Sequence, residues 1–188
     1  MITAPLSIGF RIDLLDIEPA VWRRFVMLDT HSLADLHRAI GIVMGWEEAH
    51  LHEFAIGGTR YSEKSLCEPE EDIGYKDEQR FRLADVVRAV GTEFRYLYDF
   101  GDSWQHRVIV ESCSPADSKA MYPVCLDGAN ACPPEDCGGA GEYQAILASL
   151  SDSNHPSYGE VSEWLGQFDP TKFDRHEVNK ELRRRFRG

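Results

Sequence analysis

The chain has 188 residues, of which 43% are apolar, and its formal net charge is −12. This length and apolar content suffice for one domain with a substantial core, so extensive disorder is excluded. The acidic balance disfavours a broad nucleic-acid-binding surface, because affinity for a phosphate backbone depends on clustered Lys and Arg. We therefore expect one soluble domain over residues 1–188 that does not bind duplex DNA tightly at physiological salt.

The N-terminal residues and the cysteine count bear on the cellular compartment of the protein. Five cysteines are an odd number, and the opening residues MITAPLSIGFRID lack the basic start and the apolar run of a secretory signal. The longest apolar stretch, AIGIVMGW, is about eight residues, far short of the roughly 20 that a membrane-spanning helix requires. We expect reduced thiols, a cytoplasmic location and no membrane partner.

Two β-type segments open the chain, separated by a Glu-Pro turn signal, and they predict a hairpin. Within its second arm, Arg23 and Arg24 are expected to project between a buried Trp22 and a buried Phe25. A helix is predicted next, because Ser32 can cap it and apolar residues then recur at helical spacing.

The middle of the chain combines short regular elements with an acidic stretch. HLHEFAIGG alternates as a half-buried strand and places His50 and His52 on one face. SEKSLCEPEEDIGYKDEQ has no clear periodicity and predicts a solvated loop. FRLADVVRAV predicts a short amphipathic helix.

Residues 96–111, YLYDFGDSWQHRVIVE, predict a β-hairpin, because both arms alternate bulky apolar residues with polar ones. A turn centred between Asp102 and Ser103 places Asp99 opposite His106, whereas a turn centred on Gly101 and Asp102 places Asp99 opposite a tryptophan. We predict the first register. A carboxylate that holds one imidazole nitrogen leaves the other nitrogen free to bind a metal or ligand.

After the hairpin comes a long segment rich in Gly, Pro, Asp and Cys, which we expect to be an ordered loop packed near the hairpin turn. Its Gly138 and Gly139 fit neither a P-loop nor a dinucleotide pattern, so they are expected to serve backbone geometry. Three helices are predicted after it, the last capped by Asp174. The arginines that end this helix are explained by the helix dipole rather than by a nucleic-acid contact.

The pattern of elements predicts an α+β fold in which a mostly antiparallel sheet is packed with several helices. Three stretches in this order, YLYDFGDSWQHRVIVE, YPVCLDGANACPPEDCGG and FDPTKFDRHEVNKEL, resemble the plasmid pRiA4b Orf-3-like family, and the resemblance runs from Ile8 to Leu182. It implies an α+β fold, a bacterial or archaeal cytoplasmic protein and an association with plasmid or transposon genes. It brings no established activity. A resolvase-like activity, attributed to some relatives, would need a basic DNA-binding helix and an activated serine, which this sequence does not show.

Imidazole, carboxylate and thiolate side chains of this chain form a candidate site for a divalent metal such as zinc. The predicted metal ligands are His50, His52, Asp99, His106, Cys132 and Cys137. The cysteine pair has C-x4-C spacing rather than the C-x2-C of a zinc knuckle. In the structural alternative the histidines are hydrogen-bonded within the sheet, the aspartates stabilise a turn and the cysteines are small buried hydrophobes.

Two functions of different classes remain open. The first is a non-catalytic recognition module that presents the hairpin 96–111 and the loop 122–141 to a protein or small-molecule ligand. Its predicted ligand-binding residues are Asp99, Asp102, Trp104 and His106. The second is a metal-dependent enzyme, such as a hydrolase, that uses the His/Asp/Cys cluster.

Overall fold

An eight-stranded sheet organises the computed structural model, which describes residues 4–67, 74–87 and 89–187. The strands follow the order β5-β4-β3-β6-β7-β1-β2-β8. Every neighbouring pair is antiparallel except β4 and β5. Their bounds are β1 Leu6–Leu14, β2 Trp22–Leu28, β3 His52–Ile56, β4 Thr59–Ser62, β5 Tyr75–Asp77, β6 Glu93–Tyr98, β7 Trp104–Pro115 and β8 Val124–Ala129.

Five α-helices of the described residues accompany the sheet, which makes the fold α+β as predicted. α1 packs against β2, and α5 packs against both α1 and β8. A capping box between Ser32 and Asp35 begins α1, and Gly45 in the left-handed conformation ends it, so the predicted helix is confirmed. The helices are α1 Leu33–Met44, α2 Leu83–Val86, α3 Gly139–Ser151, α4 Tyr158–Leu165 and α5 Arg175–Arg185.

The first hairpin is confirmed, but the predicted side-chain directions on β2 are wrong. Arg23, not Trp22, faces the core with Phe25, and its side chain is buried at 2% exposure. The guanidinium stacks on the ring of Phe173 and is satisfied entirely by main-chain oxygens. These are the carbonyls of Trp22, Val43, Ala129 and Asn130. A cation is tolerated there because four acceptors replace its water.

Three further segments differ from their sequence prediction. Among the described residues of FRLADVVRAV, α2 forms a single helical turn, and residue 88 lies outside the described part. The long loop contains β8, which lies at the edge of the sheet, where Asn179 of α5 bonds both the N–H and the carbonyl of Cys125. The acidic stretch contains two 3-10 turns, Lys64–Cys67 and Glu78–Arg80, with β5 between them, while its residues 68–73 lie outside the described part.

Within the described ranges, no helix combines the length and the apolar character needed to cross a membrane.

Candidate functional site

The hairpin turn is built differently from the predicted register. Tyr98 pairs with Trp104 and Tyr96 pairs with His106, so residues 99–103 form a five-residue connection centred on Gly101. Asp99 and Ser103 both adopt a positive φ of 56°, which removes them from the strands. The predicted pairing of Asp99 with His106 is therefore wrong. Asp tolerates the left-handed conformation better than most residues, and that tolerance lengthens the turn.

His106 is a core residue with no exposed surface. Its Nδ1–H donates to the carbonyl of Tyr96 at 3.2 Å, and its ring meets Trp46 edge-on. Burial lowers the pKa of His106 to about 4, so the ring is neutral at pH 7. Trp104, also predicted as a ligand-binding residue, is 1% exposed and belongs to the same core.

His52 is also buried, but in a separate polar network. Its Nε2 lies 2.7 Å from Oε2 of the buried Glu78, and its ring stacks on His37 with centroids 3.5 Å apart. His37 in turn hydrogen-bonds the hydroxyl of Tyr96 at 2.8 Å. Burial first, then His52 and Arg38, lower the pKa of His37 to about 2. This network joins α1 to the sheet and to the turn Glu78–Arg80.

The predicted site residues that come together are His50 and Asp99, with Asp136 as a third member. Nδ1 of His50 lies 3.6 Å from Oδ2 of Asp99, and Nε2 lies 3.3 Å from Oδ1 of Asp136 and 3.5 Å from Oε2 of Glu135. One donor atom from each of His50, Asp99 and Asp136 can be chosen so that all three lie within 4.8 Å of one another. We call His50, Asp99, Glu135 and Asp136 the His50 cluster.

Hydrogen bonds to the second carboxylate oxygen of Glu135, the one that does not face His50, hold this side chain in place. Its Oε1 accepts from the backbone N–H of Glu47 at 2.9 Å and from the hydroxyl of Tyr98 at 3.0 Å. The same hydroxyl accepts from the N–H of Ala49 at 3.2 Å. Burial, followed by the nearby Glu135 carboxylate, raises the pKa of Tyr98, which keeps its phenol protonated as a donor. The loop, the segment before His50 and strand β6 are thereby joined.

The loop packs on the hairpin turn, as the sequence analysis predicted. The N–H of Gly138 donates to Oδ2 of Asp102 at 3.1 Å, and the indole of Trp46 donates to the carbonyl of Pro133 at 3.2 Å. Gly139 has a φ of +82°, and a Cβ there would lie 2.6 Å from the carbonyl oxygen of Asp102. Gly139 thus allows the close approach of turn and helix, and Gly138 supplies a hydrogen bond between them. We call residues 46–50, 99–103 and 133–139 together the hairpin–loop surface.

The predicted cysteine ligands lie apart from this convergence of donors. Cys132 and Cys137 are each 8% exposed and free of disulfides. Burial raises the pKa of Cys137 to about 11 and that of Cys132 well above its ordinary value, so both are thiols at pH 7. Among the described residues, the structure does not assemble the six predicted ligands into one site.

Comparison with known proteins places the chain in a family. A family model described as "Plasmid pRiA4b ORF-3-like protein" matches residues 7–177. The chain belongs to this family.

Two further proteins are similar to this chain over most of its length. The uncharacterized protein y4hQ of Sinorhizobium fredii (strain NBRC 101917 / NGR234) is 36% identical over 163 residues, which span 86% of this chain and 82% of that protein. The crystal structure of MM3350, a protein of unknown function from Methanosarcina mazei Go1, matches with a TM-score of 0.83 and 34% identity. That match covers 94% of this chain and 99% of the other. Neither relative's name specifies an activity.

In this pRiA4b ORF-3-like protein, the sequence did not identify the partners that distant segments supply to His50 and to His52. These partners are Glu135 and Asp136 for His50, and Glu78 and His37 for His52. Glu135 and Asp136 are adjacent carboxylates that precede Cys137 and the glycines of the loop, and this pair was a usable signal. His37 follows the buried Leu33 of α1 by four residues, a spacing that puts both on one side of the helix. This spacing was a second usable signal in the sequence. Glu78 lies within the charge-rich stretch and gave no sign of its burial.

Proposed function

We propose that the protein is a non-catalytic recognition module whose hairpin–loop surface binds a cationic ligand. One observation carries this proposal. The carboxylates of Asp99, Glu135 and Asp136 converge on His50, and no Lys or Arg of the described residues forms an ion pair with any of the three. Converging carboxylates without a permanent cation repel one another and favour a ligand that brings positive charge.

The cluster has the features of a preformed binding surface. Oδ1 of Asp99 accepts from the N–H groups of Gly101 and Asp102, and Oε1 of Glu135 is held by Glu47 and Tyr98. Each carboxylate therefore keeps one oxygen in the scaffold and directs the other towards His50. Little conformational entropy is lost when such a rigid surface binds its partner.

Nucleophilic catalysis has less support at this position. A Ser or Cys nucleophile needs a hydrogen-bonded base, and in the described part of the chain no hydroxyl or thiol hydrogen-bonds to the imidazole of His50, whose ring nitrogens lie beside carboxylates. The nearest hydroxyl in the network, that of Tyr98, is committed to Glu135 and Ala49. These contacts favour binding over chemistry.

A charge-matched pair of double variants tests the proposal. The probe is a fluorescein-labelled hexalysine peptide, whose binding is followed by fluorescence anisotropy at about 150 mM salt, where long-range attraction is screened. Glu135→Gln with Asp136→Asn removes two charges from the surface. Glu160→Gln with Glu163→Gln removes two charges from exposed positions on α4. At about 0.5 kcal/mol for each partly exposed pair, we expect the first double variant to weaken binding about fivefold.

The control double variant should change the affinity by less than about twofold, because it alters only the overall charge. Equal losses in the two double variants would show that hexalysine responds to net charge alone, and the proposal would be rejected.

A further inference from the structure

We infer that the cationic ligand of the hairpin–loop surface is a divalent first-row transition-metal ion, held by His50, Asp99 and Asp136. This inference rests on the proposed function and names the chemistry of its ligand. It differs from the six-ligand site expected from the sequence, because it replaces both cysteines and two of the histidines with the exposed carboxylate of Asp136.

The geometry is close to that of a bound ion. Ligand bonds to a metal such as zinc are about 2.0–2.2 Å long, which separates neighbouring donors by about 3.4 Å in a tetrahedral site. The three donor atoms already lie within 4.8 Å of one another. The side chain of Asp136 is 78% exposed and can close the remaining distance without disturbing the core.

Asp99 supplies an independent observation that points to a ligand. Its side chain is only 9% exposed, yet within the described residues Oδ2 receives no hydrogen bond. The nearest partner, Nδ1 of His50, is 3.6 Å away, which is too long for a hydrogen bond. In a side chain that is nine-tenths buried, a carboxylate oxygen that receives no hydrogen bond from the protein is poorly compensated, and a metal ion would satisfy it.

Glu135 offers a second incompletely satisfied oxygen beside the same imidazole. Its Oε2 is inaccessible to solvent and has no hydrogen-bond partner, while Nε2 of His50 lies 3.5 Å away. Both ring nitrogens of His50 thus face carboxylates. Whichever nitrogen binds the ion, a carboxylate remains beside the other to orient the ring, as acceptors commonly do at metal-bound histidines.

The donor types select the class of metal. An imidazole with carboxylates suits zinc, cobalt, nickel or manganese, whereas calcium and magnesium prefer sites made wholly of oxygen. The thiols of Cys132 and Cys137 are not among the donors that converge on His50. We therefore expect Zn²⁺ to bind more tightly than Ca²⁺ or Mg²⁺.

Isothermal titration calorimetry of the chelator-treated full-length protein with Zn²⁺ tests the inference. We expect one saturable site, and we expect His50→Gln and Asp136→Asn each to weaken it at least about tenfold, comparable to losses seen when metal-site groups are removed. Neither residue is buried in the core, so both variants should fold, which thermal denaturation verifies. His155→Gln, at an exposed histidine between α3 and α4, is the matched control and should bind as the unaltered protein does.

Cobalt provides a second readout, because its visible absorption reports the coordination of the ion. Addition of Co²⁺ should give a saturable band that is lost in His50→Gln and retained in His155→Gln. Absence of saturable Zn²⁺ binding, or equal affinity in all three variants, would overturn the metal assignment. If the hexalysine difference persists in that case, the surface recognises an organic cation and the proposed function stands. If site-specific Zn²⁺ binding and the hexalysine difference are both absent, the proposed function itself is overturned.

Discussion

Replacing Gly139 with Ala should break the contact between α3 and the hairpin turn. The new Cβ would lie 2.6 Å from the carbonyl oxygen of Asp102, which is backbone and cannot rotate away. The φ of +82° adds strain of about 1–2 kcal/mol for a residue with a Cβ. Forced overpacking adds about 1–3 kcal/mol. We expect Gly139→Ala to lower the free energy of unfolding by about 2–5 kcal/mol in total.

Gly141 in the same helix is the matched control. A Cβ there meets nothing within 4 Å, and the backbone is not left-handed. Gly141→Ala should raise the free energy of unfolding by about 0.5–1 kcal/mol, because alanine is the better helix former. Urea unfolding followed by tryptophan fluorescence measures both values. If Gly139→Ala is as stable as Gly141→Ala, the hairpin turn does not pack on α3 as described and the hairpin–loop surface is not a fixed structure.

Three further predictions concern buried groups. Arg23→Met should lower the free energy of unfolding, measured by urea denaturation, by about 3 kcal/mol, because it removes the donor that four carbonyls share; a loss below about 1 kcal/mol would contradict this role. His37, with a pKa of about 2, should remain neutral at pH 5 by NMR. Because the unfolded chain takes up that proton near pH 6.5, stability should fall as the pH drops below about 6.5, and a ring that titrates near 6 would refute the burial argument. Exposed Cys113 should react with a thiol reagent in the native protein, whereas Cys137, with a pKa of about 11, should react only on unfolding.

Local signals in the sequence predicted the elements that depend on neighbouring residues. Ser32 and Asp35 begin α1 and Gly45 ends it through contacts within a few residues, so the sequence alone identified them. The alternation of β3 likewise placed His52 on the buried face. These features need no knowledge of which strands become neighbours.

Elements that depend on distant residues were not predictable in the same way. Arg23 enters the core because its guanidinium meets the carbonyls of Ala129 and Asn130, more than a hundred residues away. Glu78 is buried because His52 of β3 faces it. The residue pattern around Arg23 or Glu78 does not indicate these partners, and charged residues are otherwise expected at the surface.

The predicted pairing of Asp99 with His106 was wrong because of the backbone conformation of the turn, and this local difference changed which distant residues Asp99 meets. Left-handed Asp99 and Ser103 lengthen the connection, so Asp99 turns from His106 to His50. Asp136, which also has a positive φ, arrives from the loop through the Gly138 and Gly139 approach to the turn. Pairing rules for an ideal hairpin contain neither effect.

Backbone chemical-shift mapping tests the central claim most directly, because it locates a bound cation without assuming the ligands. ¹⁵N-labelled protein would be titrated with hexalysine at about 150 mM salt, where only short-range contacts persist. We expect the largest shift changes to cluster in residues 46–50, 99–103 and 133–139, and to diminish in the variant Glu135→Gln with Asp136→Asn. Changes centred on α4, or spread evenly over the acidic residues, would contradict cation binding at the hairpin–loop surface.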